Sequence, residues 1–318
     1  MYTGNPPSKV EILMNWECNQ RCVFCSVGHK IVQDGGSRKW SEIKEDLKRA
    51  EKNGKDIVSF SGGEPTIRKD LLKGVELAKK LGFETIEIQT NGCMLKYPDY
   101  TKKLVNAGVN RVLVSIHAPN AELEDFLTQT NGSFNAKIQG LKNLEELNVE
   151  KRTSTVITKF NYRALPETAK LLLKFKKNTK SNHLNFVIPD GFAKQNFETI
   201  VPTLSEVKPF LKKACDLLEK GNLNLFLHNI YPCILPEYVA SMSELATTDT
   251  LLIGPGFEAN LQENRHKYRS KGPQCQNCKY FQLCTGPFKS YTDKRGFSEF
   301  KPIHGKKLQK DNFRVKKY

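Results

Sequence analysis

The chain has 318 residues, 38% of them apolar, and 50 Lys and Arg against 34 Asp and Glu, a formal net charge of +16. That size suits one large domain with a smaller appendage, and no apolar run approaches the roughly 18 residues of a bilayer span, so a membrane-spanning protein is not expected. The opening Met-Tyr-Thr-Gly-Asn-Pro-Pro lacks the charged-then-apolar pattern of a secretion signal, which points to a cytoplasmic protein. Positive charge on this scale suits an anionic partner such as nucleic acid. Much of it, however, is strung along helices (Lys170, Lys174, Lys176, Lys177, Lys180), where it solvates an outer face. Only the tail from Lys301 to Tyr318 concentrates it: Lys301, Lys306, Lys307, Lys310, Arg314, Lys316 and Lys317 stand against Asp311.

Residues 10–15, Val-Glu-Ile-Leu-Met-Asn, read as a first strand that delivers the following loop to one sheet edge. Residues 28–39 are loop by composition. Ser41 is expected to cap a helix to about residue 53, with Ile43, Leu47 and Ala50 on one face and Gly54 as its stop. Strand 56–60, helix 69–81, strand 84–89, helix 99–107 and strand 111–116 follow, with Gly82 and Gly108 closing the second and third helices. Stops at Gly54, Gly82 and Gly108 recur every 26–28 residues, the length of a βα unit, and mark a parallel sheet covered by helices. Helix 134–147, strand 152–158, helix 163–176 and strand 183–188 carry the pattern to six units. The repeat fails after Pro189-Asp190-Gly191. One more helix, 205–218, and a short strand, 224–227, precede a segment broken by Pro232, Pro236, Pro255 and Pro273.

Four short stretches carry the chemistry, each just after a strand, where parallel α/β folds gather strand ends and helix N-termini. Cys18, Cys22 and Cys25 lie in one loop with C-x3-C-x2-C spacing, and Phe24 precedes the last. Three thiolates without a fourth suit a [4Fe–4S] cluster with one open iron better than a closed structural zinc site. Ser61-Gly62-Gly63-Glu64-Pro65 follows the second strand, Gln89-Thr90-Asn91-Gly92 the third, and Ser115-Ile116-His117 the fourth. In this order and spacing they resemble the radical S-adenosylmethionine (radical SAM) enzymes. No Gly-x-Gly-x-x-Gly follows the first strand, which disfavours a doubly wound dinucleotide fold.

The resemblance implies an α/β fold, a partial (βα)6 TIM-like barrel over residues 1–200, with an irregular extension over 201–318. It implies that Cys18, Cys22 and Cys25 hold the cluster, with Phe24 beside it. S-adenosyl-L-methionine would lie against Gly62, Gly63, Glu64, Pro65, Thr90, Asn91, Ser115 and His117. Glu64 would face its ammonium, since a carboxylate on a strand-end turn is costly without a cationic partner. Arg152 could grip its carboxylate, though a surface arginine at a strand start reads equally well; His117 also reads as a satisfied core histidine.

Farther on, Cys275, Cys278 and Cys284 form C-x2-C-x5-C followed by Thr285-Gly286. This resembles the Twitch and SPASM extensions of some radical SAM enzymes and implies an auxiliary [4Fe–4S] cluster, with Cys233 as the fourth ligand. Zinc would also satisfy that spacing. Tyr291 and His304 stand as hydrogen or proton donors nearby. Of the nine cysteines, only Cys93 and Cys215 then fall outside a ligand set and read as core thiols; that usage fits a reducing compartment.

The activity expected is reductive cleavage of S-adenosylmethionine to methionine and a 5′-deoxyadenosyl radical. That radical would abstract hydrogen from a peptide or small metabolite, with a flavodoxin or ferredoxin as electron donor and the auxiliary cluster passing electrons. Few residues precede the first strand, so a peptide substrate is expected to be delivered by a separate partner. The alternatives are a nucleic-acid-linked substrate, or a non-catalytic iron–sulfur RNA-binding protein that would have no need of a SAM pocket.

Overall fold

The computed structural model describes residues 8–28, 30, 36–245 and 249–309. Among the described residues nine strands form one sheet: β1 (Ser8–Leu13), β2 (Ile57–Ser61), β3 (Thr85–Thr90), β4 (Arg111–Ser115), β5 (Glu150–Ile157), β6 (Thr179–Phe186), β7 (Asn224–His228), β8 (Asp249–Gly254) and β9 (Phe257–Asn260). They lie in the order 7-6-5-4-3-2-1-8-9, and every neighbouring pair is parallel except β8 with β9. The end strands do not pair, so the sheet is an open, partial barrel. Helices α1 (Trp40–Lys52), α2 (Leu71–Leu81), α3 (Pro98–Ala107), α4 (Ala121–Thr128), α5 (Ser133–Glu146) and α6 (Leu165–Lys174) make the crossovers between β1 and β6.

Alternation along the strands decides which face meets the helices. Val10, Ile12, Val58, Phe60, Val112 and Val114 are buried in one core with Ile43, Leu47, Leu71, Val75 and Leu144 from the helices. Full burial of each such side chain contributes about 1.5–3 kcal/mol. The alternate positions, among them Lys9, Glu11, Glu87, Arg111 and Arg152, share the other face. There Lys9 meets Glu87 at 2.7 Å, and Arg111 meets Glu150 at 2.6 Å. Burial alone would raise the Glu87 carboxyl; the Lys9 and Arg152 charges hold it down at about 2.

The six expected units are present, with local differences. Ser41 is not the cap of α1: the N-cap is Lys39, whose N–H donates to the Glu42 carboxylate at 2.9 Å. The expected helix at 205 instead begins as α9 (Leu204–Lys220), after α7 (Gly191–Gln195) and α8 (Phe197–Ile200), and Thr203 caps it in a box with Glu206. Strand β6 starts four residues before the expected 183, because its register against β5, with a bulge at Lys151/Arg152, fixes its start. Helix α4 was not foreseen. The sheet also continues past residue 200 on both sides: β7 pairs with β6, and β8 pairs with β1.

No helix among the described residues is long and apolar enough to cross a membrane. Residues 1–7 and half of the 28–39 loop (29 and 31–35) lie outside the described residues. So do 310–318, and with them Lys310, Asp311, Arg314, Lys316 and Lys317 of the basic tail; Lys301, Lys306 and Lys307 are exposed.

Candidate active site

The loops after β1, β2, β3, β4 and β6 meet at the C-terminal edge of the sheet. The Gly62-Gly63 turn lies directly on the chain that enters the cysteine loop: Gly63 N–H donates to the Asn15 carbonyl at 2.7 Å, and Glu64 N–H to that of Glu17 at 2.8 Å. Only glycine allows this approach. A Cβ on Gly63 would stand 2.1 Å from the Glu17 carbonyl oxygen, and one on Gly62, at φ +134°, 2.4 Å from that of Asn15. Asn15 Oδ1, at the same junction, is buried and has no hydrogen-bond partner among the described residues.

Glu64 is fully buried. Its Oε1 accepts the Thr66 N–H at 3.0 Å, the Thr66 hydroxyl, and the Thr90 hydroxyl at 2.7 Å; Oε2 accepts the Asn91 N–H at 2.7 Å. The carboxylate therefore ties the turn after β2 to the turn after β3, satisfied by the protein's own donors. Burial raises its pKa above the ordinary carboxylate value, and the hydrogen bonds from Thr66, Asn91 and Thr90 counter that only in part. A carboxylate has about four acceptor positions, so Oε2, with one donor, keeps room for another. Pro65 begins the short 3-10 turn that Glu64 caps.

The three loop thiols lie close enough to feel one another's charge. Asn91 Nδ2 reaches Cys18 Sγ at 3.7 Å and Asn19 Oδ1 at 2.7 Å. Arg21 and Val23 donate their N–H groups to the Thr128 and Leu127 carbonyls, at 3.0 and 2.9 Å, at the C-terminal end of helix α4. The Phe24 ring meets His117 edge-on at 4.9 Å. On the far side Phe192 N–H donates to the Cys25 carbonyl at 3.1 Å, and a Cβ on Gly191 would stand 2.4 Å from the Ser26 carbonyl oxygen. Pro189-Asp190-Gly191, which in sequence only marks the end of the repeat, thus closes the loop from above; its Asp-Gly pair was the available signal. Burial pushes the Cys18 thiol up to about 11 and raises Cys22 and Cys25 as well. Thiols so desolvated favour the thiolate only beside a compensating cation, and the donor set fits iron.

His117 is buried, its Nδ1 accepting the Val156 N–H at 3.2 Å. Burial pulls its pKa down to about 4, so the ring is neutral wall material. Ser115, half-buried, lies in register with Ser154 on the face turned from the helices. Arg152 is not brought to the loops: it sits one layer lower, 3.4 Å from Glu150 and near Glu87.

The second set of thiols gathers elsewhere. Burial pushes Cys233 up to about 12, with Cys284, Cys278 and Cys275 adding to the rise, so all four are neighbours. Among the described residues no three His, Cys, Asp or Glu side chains are grouped to hold a single metal ion. Tyr291 is not free to act there: its hydroxyl donates to Glu299 and accepts the Leu204 N–H. His304 is exposed.

Comparison with known proteins agrees with this architecture. The chain is 31% identical to the probable GTP 3′,8-cyclase of Saccharolobus solfataricus over 217 residues, 66% of each chain. It is 29% identical to the AdoMet-dependent heme synthase of Methanosarcina barkeri over 183 residues, 56% of this chain and 51% of that one. It thus spans just under two thirds of the first relative and about half of the second. In fold it is similar to Streptococcus suis SuiB bound to S-adenosylmethionine (TM-score 0.69, 17% identity, 93% of this chain, 76% of that). It is similar also to anSMEcpe with bound AdoMet (TM-score 0.67, 17% identity, 93% of both). The Radical SAM superfamily model matches residues 17–172, the span that builds the converging turns, and with that domain the chain belongs to the radical SAM superfamily.

Proposed function

We propose that the chain is a radical SAM enzyme acting on a peptide or small metabolite, with Cys18, Cys22 and Cys25 holding the cluster that takes S-adenosylmethionine. The observation that carries this is the docking of the Gly62-Gly63 turn and the Asn91 side chain onto the three-thiol loop, which brings Asn15 and Glu64 beside the thiols. When bound, the two groups supply a one-electron cleavage that yields methionine and a hydrogen-abstracting 5′-deoxyadenosyl radical.

The chain's own residues do the placing. Asn15 Oδ1, buried without a donor, and the spare position on Glu64 Oε2 are the acceptors for the ligand's ammonium. Gly62 and Gly63 let backbone approach where a side chain would block it. Thr90 and Asn91 are oriented by Glu64. Phe24 and His117 close the floor against water, and Ser115 presents a hydroxyl to the substrate face. Arg152, held by Glu150, shapes the charge beneath that face rather than gripping the ligand.

The four thiols at Cys233, Cys275, Cys278 and Cys284 suit an auxiliary cluster in the extension over 201–318. Zinc held by the four thiolates is the alternative occupant, and metal analysis separates the two. The donor for the first cluster would be a flavodoxin or ferredoxin. No disulfide joins the nine cysteines, and the sorting of all but Cys93 and Cys215 into two ligand sets fits a reducing, cytoplasmic setting.

Charge on the substrate face favours a peptide or neutral metabolite over the triphosphate in the cyclase relatives' name. The strands β1 to β7 present Lys9, Arg111 and Arg152 there, and Glu11, Glu87 and Glu150 lie beside them. SuiB and anSMEcpe have been captured with peptides, which agrees with that preference. The test is electron paramagnetic resonance of the reduced protein with and without S-adenosylmethionine. A changed cluster signal, absent in Cys22→Ala, is expected; a signal indifferent to the ligand would overturn the proposal.

A further inference from the structure

Helix α4 places Glu124, fully buried, behind the cysteine loop. Its Oε2 accepts the His117 and Ala118 N–H groups, both at 2.7 Å, and its Oε1 takes the ammonium of Lys137, also fully buried, from helix α5. One turn before Lys137 on the same helix, buried Ser133 accepts Gln20 Nε2 of the loop at 2.8 Å, and the Cys22 thiol reaches Gln20 Oε1 at 3.7 Å. A buried ion pair is dear: an apolar pair of similar shape is often as stable or more so, so packing alone does not account for this one. The pair stands where the loop docks, because α4 also offers the Leu127 and Thr128 carbonyls that hold Val23 and Arg21.

We propose that the Glu124–Lys137 pair sets the charge behind the first cluster: Glu124 fixes α4 under the loop, and Lys137 holds a positive charge behind Cys22 that makes a bound cluster easier to reduce. This rests on the reading that Cys18, Cys22 and Cys25 bind a cluster. Net charge and hydrogen bonds to sulfur are the levers by which protein tunes such a centre. Burial would raise the Glu124 carboxyl, but Lys137 beside it brings it below its ordinary value. Neither residue touches substrate or reacting atoms; Lys137 is a positioning and charge-setting residue.

The experiment is a redox titration of the reconstituted protein followed by paramagnetic resonance, with iron content measured alongside. Lys137→Met is expected to keep its iron and to lower the midpoint by a tenfold change in reduced fraction, about 59 mV for one electron. Glu124→Gln should move it the other way, and Lys137→Arg should leave it in place. Shifts of the same sign in Lys137→Met and Glu124→Gln, or no shift in either, would overturn the proposal. Should a single variant fail to assemble, the double variant Glu124→Gln/Lys137→Met leaves no unpaired buried ion; its midpoint is expected below wild type by less than tenfold, and one at or above wild type overturns the proposal. Iron content unchanged on replacing Cys18, Cys22 and Cys25 would overturn the cluster reading itself.

Discussion

Glu64→Ala is the perturbation whose cost follows most directly from geometry. The substitution removes the acceptor of two backbone donors, Thr66 N–H and Asn91 N–H, and of two hydroxyls, in a site with no exposure. The hydroxyls rotate to other partners; the amides cannot. Each buried donor left unmade costs about 1–3 kcal/mol, so the variant should lose about 2–6 kcal/mol of stability. Glu64→Gln keeps Oε1 as an acceptor and turns an amide N–H toward that of Asn91, so it should lose one bond, about 1–3 kcal/mol. Chemical denaturation of the metal-free protein measures both without interference from cofactor. A loss below about 0.5 kcal/mol for Glu64→Ala, the range of an ordinary surface change, would refute the view that this carboxylate holds the two turns together.

Gly63→Ala puts a methyl 2.1 Å from the Glu17 carbonyl, so the cysteine loop must move; iron at the first site should fall well below wild type. Gly54→Ala, with open space around it despite φ +69°, should cost about 1 kcal/mol and keep its iron. His117 has its pKa lowered by burial to about 4 in the fold. Below its unfolded value near 6.5 the unfolded chain takes a proton that the folded chain refuses, so stability should fall as pH drops from 6.5 toward 4. The loss is about 1.4 kcal/mol per pH unit, or about 2 kcal/mol by pH 5. Denaturation at pH 6.5 and 5 should show that slope reduced in His117→Gln, and an unchanged slope would contradict it. Two four-iron clusters predict about eight irons in wild-type protein, and Cys275→Ala/Cys278→Ala should leave about four. One equivalent of zinc in place of the second four would replace the auxiliary cluster by a structural metal.

Local signals made the core of the site readable in advance. Cys18, Cys22 and Cys25 announce themselves by spacing, and Gly62 and Gly63 by a pair that only a close backbone approach requires. What lay hidden depends on partners distant in sequence. Helix α4 has too few residues for a clear period, yet the cysteine loop hangs from its last carbonyls. Glu64 reads in sequence as a carboxylate that faces a ligand's ammonium, and its protein partners Thr66, Thr90 and Asn91 converge on it only once β2 and β3 are side by side. Arg152 reads alike as a grip or a surface charge until the register sets it beside Glu150, one layer below the loops. Strand β8 is a brief apolar run, Thr-Leu-Leu-Ile, inside a proline-broken segment, and only its pairing with β1 makes it a strand.

If the three-thiol loop and the turns docked on it cleave S-adenosylmethionine, the protein must release 5′-deoxyadenosine. Anaerobically reconstituted protein, with its iron measured, is mixed with dithionite and S-adenosylmethionine and assayed for 5′-deoxyadenosine beside Cys22→Ala. Release by the wild type, abolished in the variant, is the predicted result. Wild-type protein that carries its cluster yet forms no 5′-deoxyadenosine under several reductants would contradict the account.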